Sequence, residues 1–505
     1  MSTISTAVGA ERISRTAGYK IKKGFFNTDT GNLPQMIAVL GEANDANQAT
    51  LDLNPKEITT AREAAEAYGE GSPMHQMFRI LRPVSGDGVG GIPTVAFPQA
   101  SDAGASATVH EWTVTGTATG NAVHTINIGG RTSLDFQEYK FSVAKDDDPS
   151  AIAQKIADAI NGVTGSPVIA TVALGVVTLT TKWKGATSAS LSSLITFEKA
   201  VGVSYAKTDE TAGAGTVSLA DALGKFEDSW FTIVLNPYGA AQFDALEAFN
   251  GQPDDENPTG RYDGQTFKPF VALFGSTLDD KDDIVAITDA AARVDQVTNV
   301  LCPAPRSKAF PWEAAANVCF HLARIAQDTP HLDVNNKAYP DMPIPSDGKI
   351  GDLSIYDNRD FLVKKGASTV ILKDGNYVIQ DLVTTYHPDG ETPLQFSYVR
   401  NLIVDWNISD TYRTLEEVFV KDHVLVKDGQ VTSVEKAVKP SEWKATVLEM
   451  LNDLAGDALI SDPEFSAGSL TVKISESNPN RFETFFRYKR TGIARIESTD
   501  VEAGF

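Results

Sequence analysis

Residues 230–251 read WFTIVLNPYGAAQFDALEAFNG, and the architecture of the chain turns on this stretch. Residues 230–235 are a short aromatic and β-branched run that stops at Asn236, Pro237, Tyr238 and Gly239, a cluster of turn formers. Residues 240–249 then carry apolar side chains at helical spacing. The alternation continues with a strand at 270–274, a helix over 278–294, a strand at 297–301 closed by Pro303 and Pro305, and a helix over 311–326. Strands alternating with helices predict a parallel sheet covered by helices, since parallel neighbours need a crossover long enough to hold one.

The same grammar appears near the start. Residues 36–40 (MIAVL) form an apolar strand ending at Gly41, and helical runs at 61–68 and 74–81 follow, the second stopped by Pro83. Gly88, Gly90 and Gly91 then make a glycine-rich turn, read as the start of a loop into the next region. From 101 to 215 the composition shifts to Thr, Val, Ala, Ser and Gly, with β-type runs at 112–115, 124–128 and 176–180. One helix interrupts them, with Asp148 as N-cap, Pro149 at its first position and Ile152, Ile156 and Ile160 on one face. This predicts a β-rich insertion with 207–215 as its exit linker. Toward the end, 369–379 reads as a hairpin around Asp374-Gly375, followed by helices at 410–419 and 441–454 and closing strands at 470–474 and 481–496.

The expected fold is therefore a multidomain α/β and α+β chain. It has an N-terminal arm (1–27), an α/β core in two pieces (28–100 and 216–348), the β-rich insertion (101–215), a C-terminal α+β domain (349–480) and a C-terminal strand or arm (481–505). At 505 residues, several cores are expected.

Bulk properties narrow the partners. A net charge of -22 repels phosphate backbones and argues against nucleic acid. Residues 1–15 are polar and lack the apolar run of a secretory signal, and no stretch is apolar enough for membrane insertion. The two cysteines, Cys302 and Cys319, form no C-x-x-C pair and sit in apolar runs, so buried thiols are expected.

The sequence carries no recognisable catalytic or metal-binding motif. The chain contains neither a G-x-x-x-x-G-K-[ST] loop nor a G-x-S-x-G elbow, and its seven histidines form no i, i+4 pair. Acidic clusters at Asp279, Asp280, Asp282 and Asp283, and at Asp146, Asp147 and Asp148, stand where helices begin and complement the helix dipole. Asp254, Asp255 and Glu256 lack the register of a calcium loop. No cofactor, no metal site and no enzymatic activity are expected.

The termini carry the sharper signal. Phe482, Phe486 and Tyr488 alternate with Glu483, Arg487 and Lys489, then Gly492 breaks the period and Ile493 and Ile496 follow. In the N-terminal segment Tyr19, Ile21 and Phe25 alternate with Lys20 and Lys22. Both segments are basic on an acidic chain, with Arg487, Lys489 and Arg490 in one and Lys20 and Lys22 in the other. Two readings are open: edge strands whose cations guard against aggregation, or arms that add strands to the sheets of neighbouring subunits.

The ordered motifs 33–35 (LPQ), 64–82 (AAEAYGEGSPMHQMFRILR), 128–131 (IGGR), 180–185 (TTKWKG), 230–238 (WFTIVLNPY), 382–386 (LVTTY) and 478–482 (NPNRF) resemble the contractile tail sheath proteins of Mu-like phages. Residues 492–505 depart from the ending of that family. The resemblance implies a subunit that stacks as hexameric rings around an inner tail tube, with terminal arms stitching neighbours, the insertion outward and the C-terminal domain near the tube. It also implies baseplate and tail terminator proteins as partners, contraction that drives the tube through a host envelope, and a place in the virion tail after assembly in the host cytoplasm. The alternatives are an adhesin or glycan-binding protein using the insertion, and a hydrolase on the α/β core.

Overall fold

The computed structural model describes residues 31–503 apart from 87, 255, 291 and 391–394. Its central element is a six-stranded sheet in the order Asn299–Pro303, Val271–Ser276, Ile233–Leu235, Ile37–Glu42, Thr94–Gln99, Lys56–Glu57. The first five strands are mutually parallel, and the two-residue edge strand runs antiparallel to Thr94–Gln99. All six residues of Ile37–Glu42 are buried, as a parallel strand covered on both faces requires. Alternate side chains serve different cores. Ile37 and Val39 join Met74, Met77, Phe78 and Trp312 beneath the helices Pro73–Leu81 and Pro311–Asp328. Ala38 and Leu40 face Phe97, Phe226, Leu246 and Phe270 under the helices Ala220–Gly224 and Phe243–Asn250.

The insertion holds two main antiparallel sheets, one of four strands and one of three, beside the short pair Ser133–Leu134 and Gln137–Glu138. The helix Pro149–Asn161 packs between them with Ile152, Ile156 and Ile160 buried, and the Asp148 side chain accepts from the Ala151 amide at 2.8 Å, as the cap reading expects. The insertion is seated firmly on the core. Trp183 meets Trp312 edge-on at 5.9 Å between centroids, and Phe310 stacks on Trp312 at 4.8 Å. Arg131 from the insertion pairs with the buried Glu313 at 2.7 Å and with Asp341 at 3.0 Å.

Two sequence expectations change here. Residues 207–215 are largely strand rather than linker: Ser204–Thr211 pairs with Val109–Thr115, with a bulge between Lys207 and Asp209. Its polar composition suits an exposed edge and hides the β character. The glycine turn after Leu81 leads into Thr94–Gln99, the fifth strand of the central sheet, and the insertion begins only after that strand.

Toward the C-terminus, Thr369–Lys373 and Asn376–Asp381 form the expected hairpin, with positive φ at Asp374 (51°) and Gly375 (75°), the geometry of a type I′ turn. The helix expected at 410–419 starts eleven residues earlier, as Val399–Phe419. This helix divides the packing. Leu402, Ile403 and Trp406 belong to the main core, whereas Val404, Ile408 and Leu415 belong to a third cluster with Trp443, Val447, Leu451 and Leu470. The residues expected as one C-terminal domain thus divide their buried side chains between two clusters. Cys302 and Cys319 are free, buried thiols.

Candidate assembly interface

The C-terminal segment is docked by two short antiparallel ladders. Phe482–Phe485 pairs with Thr471–Ile474, and Lys489–Arg490 pairs with Ile460–Ser461. Phe482, Phe486 and Tyr488 pack against the third cluster. Phe486 meets Tyr412 at 5.6 Å, and the Trp443 indole N–H donates to the Thr484 hydroxyl at 3.1 Å. Phe485, an aromatic residue on the outward-facing parity, is 53% exposed with the Arg487 guanidinium over its ring.

The inward parity is even up to Arg490 and odd from Thr491, with exposed Gly492 between half-buried Thr491 and Ile493. The register change read from Gly492 is therefore present. Ile493 is half-buried, and Ile496 is exposed.

Charge fixes the segment as much as apolar contact does. Asp405, on the helix Val399–Phe419, accepts from the Tyr488 hydroxyl at 2.9 Å and from Arg490 Nε at 2.7 Å, and Arg490 Nη2 bonds its second oxygen. This bidentate fork is largely enclosed, the two side chains being 19% and 15% exposed. Burial raises the Tyr488 phenol pKa, and the adjacent Asp405 charge adds to the effect. Lys489 pairs with Asp462 at 2.6 Å and lies over the Phe465 ring, but this pair is open to solvent. Farther on, Arg495 bonds Asp333 and Asp381 and caps the Tyr398 ring at 3.7 Å. Arg400, itself buried, donates to the Thr491 carbonyl at 2.6 Å.

Of the residues expected in the arms, the structure gathers Phe482, Phe486, Tyr488, Lys489 and Arg490 on one docking surface, and in the single chain that surface is the chain's own. Arg487 points to solvent. Tyr19, Lys20, Ile21, Lys22 and Phe25 lie outside the described residues. The receiving residues Asp405, Asp462, Asp333 and Asp381 were not singled out from sequence. Asp405 had a signal, an acid inside the apolar run LIVDW of residues 402–406, where a carboxylate needs a partner.

One constellation bears on catalysis. In the insertion, Ser193 Oγ lies 2.8 Å from His110 Nδ1, and His110 Nε2 lies 3.4 Å from Glu210. Ser193 also accepts the Trp112 indole N–H at 3.0 Å and is only 6% exposed, with His110 fully buried. Burial lowers the His110 pKa, and the Lys207 charge adds to the effect. The set links a strand of the four-stranded sheet to one of the three-stranded sheet as a polar bolt. Among the described residues no group of three or more His, Cys, Asp or Glu is placed to hold a metal ion, and no helix is long and apolar enough to cross a membrane.

No protein-family model matches the chain. The Mu-like prophage FluMu tail sheath protein of Haemophilus influenzae is 23% identical over 439 residues, covering 84% of each chain. The crystal structure of the sheath tail protein from Desulfitobacterium hafniense matches at a TM-score of 0.45 and 12% identity, over 94% of this chain and 100% of that one. The cryo-EM structure of the anti-feeding prophage baseplate, 6-fold symmetrised, matches at 0.37 and 12% identity, over 58% of this chain and 76% of that one. Along most of its length, this chain is therefore similar in sequence to a tail sheath protein of a Mu-like prophage.

Proposed function

We propose that this protein is the structural subunit of a contractile tail sheath, a building block of the virion tail rather than an enzyme. The observation that carries this reading is the collinear similarity to a tail sheath protein over 84% of both chains. In this reading copies assemble in the host cytoplasm as stacked hexameric rings around an inner tail tube, between a baseplate and a tail terminator. The C-terminal segment, docked in the single chain on its own third cluster, is exchanged between copies in the polymer. The segment 1–27, outside the described residues, serves as a second arm.

The docking geometry suits such an exchange. The ladders are short, both strands sit at open sheet edges, and the same contacts form whether segment and receiving strands belong to one chain or two. Exchange therefore costs little enthalpy, and ring closure returns every contact. Linked strands hold while subunit bodies slide, and contraction draws on new body-to-body contacts. Burying about 400 Å² of apolar surface per subunit would release roughly 10 kcal/mol as an upper figure. No nucleotide is needed.

Negative-stain microscopy of the purified protein at rising concentration tests the class. Hollow tubes or stacked rings are expected. Monodisperse subunits at every concentration and salt condition would count against the sheath reading.

A further inference from the structure

The strand order reverses direction at one place. From Ile37–Glu42 the chain moves to Thr94–Gln99 on one side, and after the insertion it returns to Ile233–Leu235 on the other. In open parallel sheets the crevice beyond the carboxyl ends of such a pair is where ligands bind. A cavity of about 220 Å³ lies there, walled by the end of the first strand, by the loop after Ile233–Leu235, by Pro311 and Trp312, and by the insertion.

Glu42, the last residue of the central strand, lines this cavity and is 2% exposed. One of its oxygens accepts from the Thr187 hydroxyl. Among the described residues nothing donates to the other oxygen, Oε1, and no lysine, arginine or histidine pairs with the carboxyl. Gly185, at φ +122°, makes room for it, since a Cβ there would stand 2.5 Å from Oε1. Burial pushes the Glu42 pKa up to about 7, with the Thr187 hydroxyl pulling the other way. Tyr238, another wall residue, has its phenol pKa raised by burial and then by the Glu42 charge, so the two lie close together. The remaining walls offer uncharged groups, among them Thr216, Gln242 and the Trp312 ring, and no cationic side chain.

We propose that this cavity is a binding site for a small hydroxyl-bearing amine, with its ammonium group on Glu42. A lone carboxylate at the floor, hydroxyl and amide groups around it and aromatic faces beside it select a cation. The volume falls below the range for drug-sized ligands, so the amine is small. Walls from both core and insertion mean that an occupant would tie the two together.

Ethanolamine is the probe, titrated calorimetrically into the full-length soluble subunit at pH 8, with ethylene glycol as the uncharged control. Saturable binding of one ethanolamine per chain is expected, with none for the glycol. Glu42→Gln keeps an acceptor for Thr187 and should weaken binding at least about tenfold. Ala241→Leu, an exposed lining position, should narrow the mouth and weaken it as much. The proposal is overturned if the wild-type protein shows no saturable binding, if the glycol binds equally well, or if Glu42→Gln binds with less than a tenfold loss. Should Glu42→Gln not fold, Ala241→Leu decides on the same threshold.

Discussion

Ending the chain after Asn480 should yield subunits that fold through their core and insertion but form no tubes. The truncation removes the partners of Thr471–Ile474 and Ile460–Ser461 and takes Phe482, Phe486 and Tyr488 out of the third cluster. Each ladder hydrogen bond contributes about 0.5–1.5 kcal/mol net. Each aromatic side chain would contribute about 1.5–3 kcal/mol if fully buried, and these are half-buried, so the lower end applies. The loss falls on the third cluster and on Asp405, Asp333 and Asp381, which are left without Arg490 and Arg495. The central sheet keeps its two helical faces, because none of the removed residues belongs to either of its cores. Circular dichroism and gel filtration should show a folded body, and negative stain should show no polymer. Normal tubes from the truncated chain would remove the arm from the account.

Asp405→Ala is the point substitution with the largest expected effect. It leaves the Arg490 guanidinium enclosed with no carboxylate and deprives the Tyr488 hydroxyl of its acceptor. Breaking a largely buried pair from one side costs about 3–5 kcal/mol. Amides of residues 482–490 should then exchange with deuterium more than about a hundredfold faster, and up to roughly a few thousandfold, since each 1.4 kcal/mol is a factor of ten. The open pair between Lys489 and Asp462, with side chains 52% and 43% exposed, is the comparison. Asp462→Ala removes an exposed ion pair worth about 0–1 kcal/mol and also an N-cap acceptor for Phe465, so its effect should be modest and mostly confined to the helix Pro463–Ser469. Equal effects of the two substitutions on 482–490 would show that Asp405 is not the anchor.

How far the sequence carried this picture depended on the type of signal. Four strands of the central sheet were legible because they are short apolar runs closed by proline or glycine, as at 297–301 with Pro303 and Pro305, whereas Thr94–Gln99 and Lys56–Glu57 were not. The helix after Asp148 was legible to its first residue because cap, proline and isoleucine spacing agree. The edge strand Ser204–Thr211 was not, since an exposed edge carries the polar residues that also mark linkers. The long helix Val399–Phe419 was recognised only in its second half, because its first half is buried nearly all round and shows no amphipathic period. At the interface, the alternation of Phe482, Phe486 and Tyr488 and the break at Gly492 were readable. Their acceptors were not, because Asp405, Asp333 and Asp381 are far away in sequence and meet the segment only through tertiary packing. Glu42 was invisible for the same reason, its isolation being a property of the cavity around it.

The proposed polymer requires the segment after Asn480 to complete the sheet of another copy. Lys473 and Glu483 stand opposite each other across the ladder, with a 3.1 Å ion pair between them. Directly opposed antiparallel residues have Cα atoms about 4.5–5.5 Å apart, within disulfide range, and the two native cysteines are buried. Subunits carrying only Lys473→Cys should be mixed with subunits carrying only Glu483→Cys, assembled, oxidised and run on a non-reducing gel, beside each variant alone. A covalent dimer from the mixed tubes, absent from either variant alone, is the expected result. Mixed tubes that yield no dimer, while a chain bearing both cysteines closes the bond within itself, would contradict strand exchange.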